Sequence, residues 1–145
     1  MPNSLRCYRS LFTGAAVYIT FIEHPARMQC GVELAATEFA PSYRRATVMQ
    51  ATSAAVGLLS SLTAWLAGAS FSWLVAGLLL GSVIPFTLIV ILPTNKRLLD
   101  PTLDKQSEEA ERLLARWGML HAVRSVLSGL ALVLFLYLAI FRRAI

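Results

Sequence analysis

Charge is what this 145-residue sequence has least of: Asp, Glu, Lys and Arg together make up 14% of it, against about a quarter in an ordinary soluble domain. With 57% of its residues hydrophobic, the balance of a water-soluble globule is broken, and the chain reads as a membrane protein of one domain, residues 1–145. Cysteine is scarce too. Cys7 and Cys30 have no Cys or His at metal-ligand spacing, which excludes a disulfide framework and a zinc module and leaves each expected as a free thiol. Although the formal charge is +5, no basic face with interleaved aromatics exists, so nucleic acid is excluded as a partner. Lys and Arg instead sit at the ends of apolar runs, and Arg6, Arg9, Arg142 and Arg143 read as anchors beside lipid headgroups. Internal repeats and low-complexity tracts are absent.

What is present is four apolar runs, residues 5–22, 46–67, 71–92 and 119–141. A helix needs roughly 20 residues to cross the hydrocarbon core, and the last three runs meet that length. In the first, Arg6 and Arg9 leave only "LFTGAAVYITFI" free of charge, a length that also suits a signal peptide. "EHPARM" follows it in place of a small-x-small cleavage site, so a short first span with snorkelling arginines is expected. Only "GAS" separates the second and third runs, which predicts an antiparallel hairpin. The second run, "ATSAAVGLLSSLTAWLAG", is rich in the small and hydroxyl residues that let membrane helices approach closely. Pro85 predicts a kink in the third, and Pro93 predicts its end or a bend. Asp100-Pro101 breaks the chain before "EEAERLLARW", an amphipathic helix leading into the fourth run, with Arg112 four residues after Glu108. The fold class expected is all-α, a four-helix transmembrane bundle, multi-pass in the lipid bilayer. The arginine and lysine count places its polar-loop side in the cytoplasm.

This topology gathers polar residues. Glu23, His24 and Arg27 end the first run; Tyr43, Arg44, Arg45 and Gln50 flank the start of the second. Thr94 and Asn95 follow the third, and Trp117, His121 and Arg124 open the fourth. All fall at one end of the bundle. Trp117, His121, Arg124 and Ser128 follow a 4, 3, 4 spacing that puts them on one helix face. An ionisable group inside a membrane helix faces the bundle interior or a water-filled cavity, so a polar pocket open toward one interface is expected. Asn95 should face inward toward His121, with Lys96 and Arg97 turned out to headgroups. Each residue also has a plainer reading: His24 as a helix cap, Arg27, Arg44 and Arg45 as headgroup anchors, Asn95 as a helix terminator, Trp117 as an interfacial belt residue.

The motifs "EHPAR", "PSYRRATVMQ", "PFTLIVILPTNKRL" and "RWGMLHAVR" resemble the anthrone oxygenase-like family of small four-helix membrane proteins, over roughly residues 13 to 135. "PFT" followed six residues after Thr87 by "PTN" is the most specific element. The resemblance implies a multi-pass membrane protein. Some fungal members oxidise anthrones to anthraquinones with dioxygen in polyketide biosynthesis, without an established cofactor, and most others have no assigned activity. The first apolar run here is shorter than the family's opening.

Anthrone oxidation can be set against these residues. Removing a proton from the acidic ring carbon leaves an electron-rich enolate able to reduce dioxygen without a metal. That chemistry needs a base and donors for the oxyanion. His24 and His121 are the candidate bases, Arg27, Arg124, Asn95 and Tyr43 the candidate donors, with Gln50 beside them. Trp117 is the candidate platform for a flat hydrophobic or phenolic substrate. No metal or other cofactor is expected. The alternatives are non-haem iron on both histidines and Glu23, or a haem on one histidine, neither supported by local ligand spacing. A different class of reading is non-catalytic: a membrane protein that binds a lipid or quinone, or an accessory subunit of a membrane complex.

Overall fold

The computed structural model describes residues 3–141, with side chains from Ser10 onward. The side chains of Arg6, Cys7 and Arg9, and all of Arg142 and Arg143, lie outside the described residues. The described chain is all-α and forms four helical columns. The first is α1 (Asn3–Tyr18), a π turn (Ile19–Glu23) and α2 (His24–Gln29); the second is α3 (Val32–Leu66). The third is α4 (Phe71–Gly81), α5 (Val83–Phe86), a second π turn (Thr87–Ile91) and α6 (Leu92–Leu98); the fourth is α7 (Glu108–Phe141). Around the bundle α1 packs on α3, α3 on α4, α4 on α7 and α7 on α1.

The columns outrun the apolar stretches that mark them. The second begins at Val32 and runs through Pro41, where a start near Ala46 was expected. The third does not stop at Pro93 but continues to Leu98. Proline lacks an N–H, and its ring collides with the carbonyl four residues back, so an α-helix cannot pass it unchanged. Here the turn before the proline widens. The Leu92 N–H bonds the Thr87 carbonyl and the His24 N–H the Ile19 carbonyl, both five residues back. Pro93 and Pro25 then follow in the first turn of α6 and α2. The expected kink at Pro85 lies one turn earlier, at Ser82, where α4 gives way to α5. Pro85 withholds the donor that the Gly81 carbonyl would otherwise accept.

Between α3 and α4 the seam is close. A Cβ on Gly77 would lie 2.3 Å from the Ser61 Cβ, so only glycine fits there. Gly68, at φ 90°, turns the chain between the two helices. At the other end Arg97 clips the third column to the fourth: its guanidinium donates to both Glu109 oxygens at 2.7 and 3.0 Å and to Asp100 at 3.0 Å. That corrects the expected headgroup-facing Arg97, while Lys96 is exposed. Asp100 accepts from the Thr102 N–H and hydroxyl and shapes the turn after α6.

Phe71–Leu98 and Glu108–Phe141 are long and apolar enough to cross a membrane, by length and composition. Only 33% and 28% of their most apolar windows is buried, so most of that apolar surface faces outward rather than into a core. At 34 residues α7 is about 50 Å long, well beyond the hydrocarbon thickness. Among the described residues, the first two columns do not reach the same apolar length.

A buried polar cavity as candidate functional site

The core is two apolar clusters. One holds Phe39, Ile91, Leu114 and Trp117; the other, toward the α3–α4 hairpin, holds Phe12, Leu80, Val83 and Phe135. Ile19, Phe39, Ile91 and Trp117 of the first border a small cavity, and Arg124, which also lines it, lies over the Phe12 ring of the second at 5.8 Å. All four columns contribute walls. The cavity measures about 30 Å³, room for about two waters.

His121 is 2% exposed, and its hydrogen bonds define its tautomer. Arg124 Nη2 stands 2.9 Å from Nε2 and can only donate, so Nε2 accepts. Nδ1 then carries the proton and donates to Thr20 Oγ1 at 2.9 Å. Thr20 lies 2.7 Å from Ser125 Oγ, which donates to the Ala16 carbonyl at 3.0 Å. The imidazole is thus held neutral at the head of a hydroxyl chain between α7 and the first column. Arg124 also donates to Gln50 Oε1, and among the described residues it has no carboxylate partner.

Three donors in this wall have nothing to bond. Asn95 is 1% exposed and Gln50 3%. Both amide atoms of Asn95, the Gln50 Nε2 and the Arg124 Nε have no hydrogen-bond partner among the described residues. Each such group costs about 1–3 kcal/mol, so their clustering around one space makes it the candidate functional site.

Seven of the eight residues singled out from the sequence line this cavity: Arg27, Tyr43, Gln50, Asn95, Trp117, His121 and Arg124. Their roles separate. Arg27 is buried but neutralised by Glu23 and by Glu38 at 2.6 Å, with Ser42 at 3.2 Å. Its charge is spent inside the protein. Trp117 has His121 stacked on it at 4.8 Å and is further enclosed by His24, Phe39 and the Arg27 guanidinium. The indole, 6% exposed, thus packs against His121 while also lining the cavity. Arg44 and Arg45 are exposed.

His24 is the residue that does not line the cavity. It packs behind Trp117, ring centroids 5.3 Å apart, against Gly118. Burial and then the Arg27 charge hold its imidazole below the ordinary range, against the opposing pull of Glu23, so the ring is neutral at neutral pH. A Cβ on Gly118 would lie 2.4 Å from the His24 Nε2. Gly118→Ala, which in an exposed helix would stabilise by about 1 kcal/mol, should here destabilise by roughly 1 kcal/mol, because His24 must leave its place against Trp117. Thermal unfolding in detergent reads the sign. No three His, Cys, Asp or Glu side chains converge among the described residues: Glu23 is engaged with Arg27 and Ser42, and His121 with Thr20 and Arg124.

Sequence reasoning missed Thr20 and Ser125. Hydroxyl residues in helices usually bond their own backbone, as Ser53 and Thr87 do here, so nothing in residue type distinguished this pair.

The fold and the cavity together define a small all-α bundle protein with a donor-rich internal cavity. The profile of the anthrone oxygenase family matches residues 39–134, and the chain belongs to that family. The matched stretch holds Tyr43, Gln50, Asn95, Trp117, His121 and Arg124. The chain is also 36% identical over 73 residues to anthrone oxygenase tpcL of Aspergillus fumigatus, a stretch covering 48% of this chain and 45% of that protein. The aligned part thus spans under half of that relative. No solved structure matches the chain.

Proposed function

We propose that this chain is a membrane protein crossing the bilayer four times and acting as an oxygenase-type oxidoreductase on an anthrone or related flat phenol, with dioxygen as oxidant and no resident metal. The observation that supports it most is Arg124, a half-buried guanidinium without a carboxylate partner among the described residues, beside the neutral His121, the free Gln50 Nε2 and the unpaired Asn95 amide. A uncompensated cation flanked by free donors suits an oxygen that becomes negative during reaction.

His121 supplies the base. Its Nε2 lone pair is engaged by Arg124, and when Arg124 turns to the substrate oxygen that lone pair is freed to take the ring-carbon proton. The enolate oxygen is then held by Arg124, Asn95 and Gln50. Electron transfer to dioxygen and recombination form a carbon–oxygen bond. Breaking the O–O bond and the remaining C–H bond leaves a carbonyl. One oxygen atom stays in the quinone, and the other departs with both hydrogens as water.

Purified protein in detergent, stripped of metal, should consume oxygen with an anthrone, and His121→Ala should abolish uptake by at least a hundredfold. Absence of uptake in the wild type with anthrones and hydroquinones alike would sink the catalytic reading. Binding of a quinone or lipid without turnover would draw on the same unpaired donors, and the same assay separates it.

A further inference from the structure

At about 30 Å³ the inner cavity admits water or dioxygen but not a fused-ring system. A fused-ring substrate must therefore sit elsewhere and reach the cavity with one edge. Two openings adjoin it. A groove of about 560 Å³ runs between α1 and α3, and Glu23, Glu38 and Arg45 stand among its walls. A cleft of about 140 Å³ lies between α3 and the α5–α6 stretch, with walls such as Phe12, Ala54, Val83 and Leu88. It shares Tyr43, Thr47, Gln50 and Arg124 with the cavity.

We propose that the α3/α5–α6 cleft is the seat and side entrance for a flat, apolar, oxygen-bearing ring system, which slides in from the bilayer and presents its oxygen to Gln50 and Arg124, leaving the inner cavity to dioxygen. This rests on the oxygenase reading above for the identity of the guest, but the binding claim is tested without turnover. Two features carry it. The unpaired Gln50 Nε2 and Arg124 Nε belong to residues at the boundary of cleft and cavity, so a ring in the cleft meets free donors at its inner end. The opening also has a structural cause: α3 and α4 are locked together at Gly77 and Ser61, while the break at Ser82 and the π turn at Thr87–Ile91 redirect the third column beyond that seam. The charged groove does not suit an apolar ring arriving from hydrocarbon.

Ala51 and Leu88 are exposed residues that line the cleft; Ala15 lies in the other groove. The probe is 1,8-dihydroxyanthraquinone, titrated by its visible fluorescence against protein in detergent, with helical circular dichroism confirming the fold of each variant. Ala51→Phe and Leu88→Trp should each weaken binding at least tenfold, and Ala15→Phe should leave it within twofold. Wild-type affinity in both cleft variants, loss in Ala15→Phe instead, or no binding by the wild type overturns the proposal. If the cleft variants lose binding while the wild type consumes no oxygen with anthrones, the cleft stands and the catalytic reading falls. If oxygen uptake is intact and indifferent to Ala51→Phe and Leu88→Trp, the cleft falls and the catalytic reading stands.

Discussion

Arg124→Gln should lower kcat/KM for an anthrone by about a hundredfold to a thousandfold and leave the thermal midpoint unchanged or higher. The two halves have one cause. Arg124 is a guanidinium in the bundle interior whose partners are the Gln50 carbonyl oxygen and His121 Nε2, both neutral. Burying a cation without a counter-charge opposes folding by several kcal/mol, so the protein retains it against its own stability. On the proposed oxygenase reading, a substrate oxygen gaining negative charge is the counterpart. The neutral amide of glutamine removes the desolvation burden and keeps one donor near His121, but cannot neutralise an enolate. Lysine should not rescue the rate, because Nη2 alone meets both Gln50 and His121 and a single ammonium lacks the further guanidinium donors, Nε among them, left for a substrate oxygen. Steady-state oxygen consumption and a thermal melt in the same detergent decide it. A variant that turns over within tenfold of wild type, or one that no longer folds, would contradict the assignment.

Asn95→Leu should give the second such pair of opposed effects: a gain of about 1–2 kcal/mol in stability with a loss of about a hundredfold in turnover. Leucine has nearly the shape of asparagine. It removes two buried polar atoms that have no partner among the described residues at a position 1% exposed. A merely structural asparagine, one terminating a helix, would lose stability on that change, since its bonds to free carbonyls would vanish. The sign of the stability change thus separates the two roles before any activity is measured. A destabilised Asn95→Leu would falsify the placement of this amide in a ligand site.

The third and fourth columns could be read from the sequence because their apolar runs are of spanning length; the first two showed only as shorter or less apolar runs. The true ends of the columns could not be read. Residues 32–45 carry Glu33, Glu38, Pro41, Arg44 and Arg45 and no apolar run, yet they form the first turns of α3, because Ala35, Ala36 and Phe39 pack into the core beside Trp117. Packing made that helix where composition gave no sign of it. The site was legible for a topological reason: antiparallel helices return alternate ends to the same side, so four polar edges had to meet. What topology could not supply was which side of Trp117 each imidazole takes. That depends on Gly118 leaving a hollow for His24, a match between residues on different columns that no single-helix pattern contains. The cleft was likewise hidden, since nothing in the spacing of hydrophobic residues reports that a turn has widened.

The second π turn gives the interval between "PFT" and "PTN" a physical meaning. Thr87–Ile91 lies between Pro85 and Pro93, so the separation of the two motifs works as a ruler. The wide turn already absorbs one residue more than an α turn holds; a further residue inserted between the motifs would have no such turn to absorb it, and all that follows would rotate by about 100°. Asn95 would then swing out of the cavity while every hydrophobic residue found another apolar neighbour. The chain would still fold as a bundle and would have lost its site, so the length of this interval is a better mark of a working family member than the identity of the apolar residues that fill it.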